Sequence, residues 1–144
     1  MYRNILVPSD GSSLAEVILP HVKEMAQLSG ATITLLSVVF AHTPASTFHV
    51  ADTIDQQIAA KEAAEEYLKE VGQRLVDEGF LVATQVGYGH PVNEILAYAE
   101  REEISLLAMS THGRTGWKRL AMGSVAEGVL RYSPKPVFIV RAQL

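Results

Sequence analysis

Two rhythms alternate along the chain. Short unbroken apolar runs suit strands buried on both faces, and longer stretches whose apolar residues recur every three or four positions suit helices. Ile5-Leu6-Val7-Pro8 is the first apolar run and predicts a buried strand. Ser9-Asp10-Gly11-Ser12-Ser13 follows as a turn with several candidate helix caps. Over residues 14–28, Leu14, Ile18, Val22, Met25 and Leu28 share one helical face, and Ser29-Gly30 closes that helix. Pro20 lies inside this span and predicts a bend, because its ring clashes with the carbonyl of Glu16.

The alternation continues to the end of the chain. Residues 31–40 predict a second strand, rich in Ile, Leu and Val. Residues 41–51 lose periodicity and gain Thr, Pro, Ser and His, so they read as a long loop that can serve as a flap. Residues 52–78 are helical in pattern, with Ile54, Ile58, Ala64, Leu68, Val71 and Leu75 on one face and charged residues between them as a solvated face. Residues 81–87 predict a third strand, and residues 91–102 a third helix introduced by Gly89-His90-Pro91. Residues 104–109 predict a fourth strand and residues 123–132 a fourth helix, stopped by Ser133-Pro134-Lys135-Pro136. Val137-Phe138-Ile139-Val140 is the fifth strand.

Strands alternating with helices in this way predict an α/β fold: a parallel sheet with helices on both faces and right-handed crossovers. No linker or shift in composition divides the chain, so residues 1–144 are expected to form one domain. Ligands of such sheets bind beyond the carboxyl ends of the strands, where strand order reverses. Two strand ends carry polar turns containing glycine, Pro8-Ser9-Asp10-Gly11 and residues 110–116. If strands one and four are neighbours, these turns face each other across a cleft.

Composition narrows the class. With 48% apolar and 19% charged residues the chain is expected to fold as a globule rather than stay disordered. A net charge of −4 without a long basic patch argues against a nucleic-acid partner. There is no cysteine, which removes disulfide and thiol chemistry. No apolar run approaches the roughly 18 residues of a membrane span, and Asp10 interrupts any signal-peptide core. A cytoplasmic location is the expectation.

The chemistry concentrates after the fourth strand. Ser110-Thr111-His112-Gly113-Arg114-Thr115-Gly116 leads to Gly123-Ser124 at the start of a helix. The order of strand, glycine-containing loop and helix N-terminus is a phosphate-holding arrangement: glycine admits oxygen close to backbone N–H groups, and the helix end favours negative charge. Neither a P-loop nor a dinucleotide Gly-x-Gly-x-x-Gly occurs. Arg114, Lys118 and Arg119 suit a small anion better than a polymer. Arg114 is either a phosphate clamp or a solvated cation. His112 has no orienting partner in sequence, so it is expected to shape the loop or hydrogen-bond a ligand rather than act as a base. Gly113 and Gly116 also fit plain turn positions. Gly128, inside the fourth helix, weakens it by about 1 kcal/mol and predicts close packing by a neighbour. Trp117 suggests a contact surface or a ring folded onto the core.

These residues resemble a family. Asn4-Ile5-Leu6-Val7-Pro8-Ser9-Asp10-Gly11-Ser12 is similar to the opening of universal stress proteins. Gly89-His90-Pro91 resembles their mid-chain turn, and residues 109–114, Gly123-Ser124-Val125 and Lys135-Pro136-Val137 resemble their C-terminal signature. The resemblance implies a Rossmann-like, adenine nucleotide alpha hydrolase-like sheet of order 3-2-1-4-5. It implies a dimeric, ATP-binding regulatory module of the stress response. The residues supply no obvious nucleophile or catalytic base, so any hydrolysis is expected to be slow or partner-dependent. A subgroup of the family binds ATP through Gly-x2-Gly-x9-Gly-Ser/Thr. Gly113, Gly123 and Ser124 match that motif, and Ser110 replaces its first glycine. A serine costs about 1–2 kcal/mol where the backbone must be left-handed, but its hydroxyl can bond phosphate or ribose.

The resemblance places Pro8 and Ser9 beside adenine, with Val38 on the ring. It adds Met109, His112, Arg114 and Val125 to the nucleotide site. Asp10 would meet the ribose or adenine edge, or Mg2+ carried by the phosphates; the plainer reading is a helix cap. Ser124 would cap the fourth helix and bind phosphate together. The implied homodimer pairs the edge strand Val137, Phe138, Ile139 and Val140 with its own copy. The rival reading is a nucleotide-free interaction module, for which Ser110 is the support. An ATP-consuming ligase or sulfurtransferase would need a Ser-Gly-Gly-x-Asp-Ser loop, which residues 9–13 do not match.

Overall fold

A computed structural model describes residues 1–13, 15–40, 50–111 and 123–142. Strand β1 (Asn4–Pro8) is followed by a 3-10 turn (Ala15–Ile18), α1 (Leu19–Ser29), β2 (Thr32–Val39), α2 (Val50–Asp77) and β3 (Val82–Tyr88). Then come α3 (Pro91–Ala99), β4 (Leu106–Ser110), α4 (Ser124–Tyr132) and β5 (Val137–Val140). The strands form one sheet of order β3-β2-β1-β4-β5, and every neighbouring pair is parallel. β1 is therefore central, with β2 on one side and β4 on the other, and the expected strand order holds.

Alternate residues of the central strands feed two cores, which is why their sequences are apolar throughout. Ile5 and Val7 of β1 join Ile33, Leu35, Leu106 and Ala108 beneath Ile18, Val22, Leu68 and Val71 of the α1 and α2 layer. Leu6 joins Leu36, Leu107 and Met109 beneath Ile95, Ala99, Ala126 and Val129 of the α3 and α4 layer. Both faces of the sheet are covered, so a ligand must enter from the strand ends.

Three helical expectations change. Pro20 does not bend a long helix: residues 15–18 form a 3-10 turn, and α1 begins at Leu19 with Pro20 in its first turn. There the missing N–H costs nothing, because first-turn N–H groups have no partner inside the helix. Leu28 is 82% exposed, and Ala26 takes the buried position instead. On α2, Leu68, Val71 and Leu75 are buried as expected, but Ile54 and Ile58 are about half exposed. That helix has 28 residues, about 42 Å at the usual rise, and residues 54–63 of it are exposed.

Gly128 fulfils its expectation. A Cβ there would lie 3.0 Å from both methyl carbons of Val92, so glycine lets α4 pack closely on α3. The fifth strand is apolar on both faces but only partly buried, because it forms an edge of the sheet.

Candidate functional site

The site is built by the carboxyl ends of the two central strands. β1 ends in Pro8 and turns through Ser9-Asp10-Gly11. Gly11 has φ +84°, a value that favours glycine. Its N–H donates to the Ser9 hydroxyl at 3.3 Å. The Asp10 carboxylate accepts the Ser12 N–H at 2.9 Å, and the Ser12 hydroxyl accepts the Ala15 N–H at 3.1 Å. Asp10 therefore braces the turn, while Ser12 holds the start of the 3-10 turn. The Ser9 N–H donates to the Leu36 carbonyl at 2.8 Å, which continues the β1–β2 ladder past Pro8.

β4 ends opposite this turn. Ser110 is still within the strand and stands in register with Val140. No non-glycine residue among those described has positive φ. The left-handed backbone that would penalise serine is therefore not used at position 110. Thr111 is buried; its N–H donates to the Val140 carbonyl at 2.8 Å and its hydroxyl accepts the Ala142 N–H at 3.2 Å. These bonds fasten the end of β5 to the floor of the site.

Between the two strand ends lies a cavity of about 160 Å³. The β1 turn contributes Pro8, Ser9, Asp10, Ser12 and Ala15; β2 contributes Leu36 and Val38. Met109, Ser110 and Thr111 line it from β4, Pro91 and Ile95 from α3, and Val125 and Ala126 from α4. The walls are mainly apolar, and Asp10 is the one charged residue among the described lining groups. Such a cavity suits a flat, mostly apolar ring system with polar contacts at one rim.

The structure thus brings together Pro8, Ser9, Asp10, Val38, Met109, Ser110 and Val125 of the expected residues. Gly123 caps α4 with φ +83° and ψ 145°, with no side-chain cap bond, and Ser124 is the first helical residue. Ser124 is therefore not the cap. Gly123 holds that place in a backbone conformation nearly restricted to glycine, and the end of α4 offers N–H groups lacking helical partners. His112, Gly113, Arg114, Gly116, Trp117, Lys118 and Arg119 lie outside the described residues, as does most of the expected flap; residues 50 and 51 already belong to α2. Among the described residues no group of His, Cys, Asp and Glu is assembled to hold a metal.

Sequence reasoning missed Ser12, Ala15, Leu36, Pro91, Ile95, Thr111 and Ala126 as lining residues. Pro91 had a signal in its Gly-His-Pro turn. Leu36 sits two places before Val38 and so shares its face of the sheet. It also missed Tyr67 of α2, whose hydroxyl lies 2.9 Å from the Ser9 hydroxyl. Burial, chiefly, raises the Tyr67 phenol above its ordinary pKa near 10; the charges of Glu16 and Asp10 add to the rise and the Ser9 bond opposes it. Glu16 in turn pairs with Arg74 at 2.7 Å.

The sequence model described as the universal stress protein family matches residues 1–141. The chain belongs to the universal stress protein family. Universal stress protein MJ0577 of Methanocaldococcus jannaschii is 31% identical over 98% of this chain and 96% of its own. A solved structure of MJ0577 superposes with a TM-score of 0.86 at 33% identity, covering 99% of this chain and 98% of that one. A universal stress protein solved in complex with cAMP has a TM-score of 0.70 at 24% identity, covering 99% and 98% of the two chains. A family member from Arabidopsis thaliana with AMP bound has a TM-score of 0.71 at 13% identity, covering 98% and 92%. At those identities the last two show a shared fold. The sheet order and two-layer cover described above are the universal stress protein fold.

Proposed function

We propose that this universal stress protein binds an adenine nucleotide, ATP with Mg2+, between the ends of β1 and β4, and acts as a dimeric regulatory module in the cytoplasm. One observation carries the reading. The apolar cavity at the strand-order reversal is lined by Val125 and Ala126 of the first turn of α4, the helix that Gly123 caps with φ +83°. Base binding is assigned to the wall of Pro8, Ser9, Val38 and Met109, and ribose binding to Asp10. The N-terminus of α4 at Gly123, Ser124 and Val125, with His112, Gly113 and Arg114 of the matching motif, is assigned to the phosphates. Ser110 adds a hydroxyl at the phosphate side. Mg2+ is assigned to the phosphates with Asp10 as its protein neighbour. Family members solved with cAMP and AMP support an adenine nucleotide.

No catalytic residue is assigned, so hydrolysis is expected to be slow or to require a partner. The dimer is assigned to β5, whose Val137, Phe138, Ile139 and Val140 lie at a sheet edge and are only partly buried. Calorimetry with Mg-ATP, AMP and cAMP tests the reading. Heat of binding and a raised melting temperature with one of them are expected. No heat and no shift at millimolar concentration of all three would reject it and leave the interaction-module reading, in which the exposed β5 edge is the working surface.

A further inference from the structure

Ser9 stands between two cavities. On one side is the ligand cleft; on the other is a small apolar space bounded by Val7, Leu35, Leu68 and Val71, with Tyr67 and Glu16 at its edge. Tyr67 reaches this wall from α2. Its hydroxyl shares a hydrogen bond with the Ser9 hydroxyl at 2.9 Å, and that same oxygen accepts the Gly11 N–H at 3.3 Å. Its ring lies against Gly11, where a Cβ would stand 3.9 Å from two ring carbons. One aromatic side chain thus contacts both residues that flank Asp10.

We propose that Tyr67 is a positioning residue of the ligand cleft, acting through Ser9 to hold the 9–12 turn and Asp10 in the geometry that a ligand meets. The inference rests on the nucleotide reading for its ligand but not for its mechanics. Ser9 lines the cleft; Tyr67 fixes which way its hydroxyl is engaged. Leu68, next in the chain, is buried in the α2 layer, and the Arg74–Glu16 pair ties the same helix to the 3-10 turn. The phenol is therefore anchored to the core, so its bond restrains the turn. A phenol is neutral at physiological pH at its ordinary pKa near 10, and burial raises that value further, so it remains a hydrogen-bond partner for Ser9.

The test compares wild type with Tyr67→Phe, Ser9→Ala and the double variant. Tyr67→Phe keeps the ring on Gly11 and removes only the hydroxyl. Mg-ATP affinity should fall about three- to tenfold in Tyr67→Phe, the scale of one neutral hydrogen bond, while the ligand-free melting temperature falls by only a few degrees, as loss of that one bond dictates. The double variant should bind no more weakly than Ser9→Ala, because Tyr67 acts only through Ser9. Unchanged affinity in Tyr67→Phe, or losses that multiply in the double variant, would overturn the proposal. If wild type binds no Mg-ATP, the nucleotide reading fails by itself, and amide order parameters of the ligand-free protein decide the positioning claim. Lower values at residues 9–12 in Tyr67→Phe, with α2 unaffected, uphold it; an unchanged turn refutes it.

Discussion

Gly123 and Ser110 show at single-residue scale how a motif separates into backbone and side-chain requirements. Gly123 occupies φ +83° and ψ 145°, where a side chain costs on the order of 1–3 kcal/mol. Gly123→Ala is expected to lower unfolding free energy by about that amount and to weaken nucleotide binding by disturbing the α4 N-terminus; denaturant titration and calorimetry check the two effects. Ser110, in contrast, lies in an ordinary strand. Ser110→Gly therefore relieves no strain and should destabilise by about 0.5–1 kcal/mol, the cost of glycine in a strand. A stabilising Ser110→Gly would contradict the assigned backbone. Tyr67 adds a pH signature. Its folded pKa is raised above 10, so the neutral phenol contributes stability that is fully present below pH 10 and is lost as pH rises through the folded value. Stability should fall less steeply above pH 10 in Tyr67→Phe than in wild type, measured by chemical denaturation. The glycines were legible in the sequence because spacing marks them. Tyr67 was not, since beside Leu68 it reads as one more residue of a helix flank, and only the fold carries it to the β1 turn.

Elements were legible where burial on both faces left unbroken apolar runs, as in β1, β2 and β4. They were less legible where local patterns overstate burial. Ile54 and Ile58 keep the helical spacing of Leu68 and Val71, yet periodicity cannot tell how far a helix extends along the sheet. Pro20 was misplaced for a related reason: the apolar spacing of residues 14–28 runs through a 3-10 turn and an α-helix without marking their junction. The α3–α4 contact gives a sharper test of element packing. Alanine ordinarily gains about 1 kcal/mol over glycine within a helix, but at position 128 its Cβ would press on the two Val92 methyls at 3.0 Å. Val is stiff about χ1 and gives way poorly. Gly128→Ala should bring no gain in wild type but recover the helix-propensity gain in a Val92→Ala background. Equal effects in both backgrounds, by a double-mutant cycle on unfolding, would show that the contact relaxes freely.

For the whole molecule, the order β3-β2-β1-β4-β5 leaves β5 as an edge with apolar residues on both faces. Phe138 is 37% exposed, and its ring lies 5.9 Å from that of His21. Open N–H and C=O groups on such an edge invite pairing, and a two-fold pairing of β5 with its copy closes at a dimer. Phe138→Lys with Val140→Lys should give a folded monomer by light scattering and circular dichroism; a folded double variant that stays dimeric would place any interface elsewhere. The topology was legible only through the resemblance, because alternating strands and helices fix a parallel sheet but not which strands are neighbours.

The central place of β1 also has a consequence for synthesis. Ile5 and Leu6 pair with Leu106 and Leu107, so one flank of the first strand made waits for a strand made about a hundred residues later. At about 5–20 residues per second, the Ile5-Leu6-Val7 edge stays open for several seconds after β2 has emerged. The nascent chain therefore passes an unfinished edge from β1 to β4 and then to β5. A ligand of the cleft, whose walls include β4, can stabilise the chain only after β4 has left the ribosome.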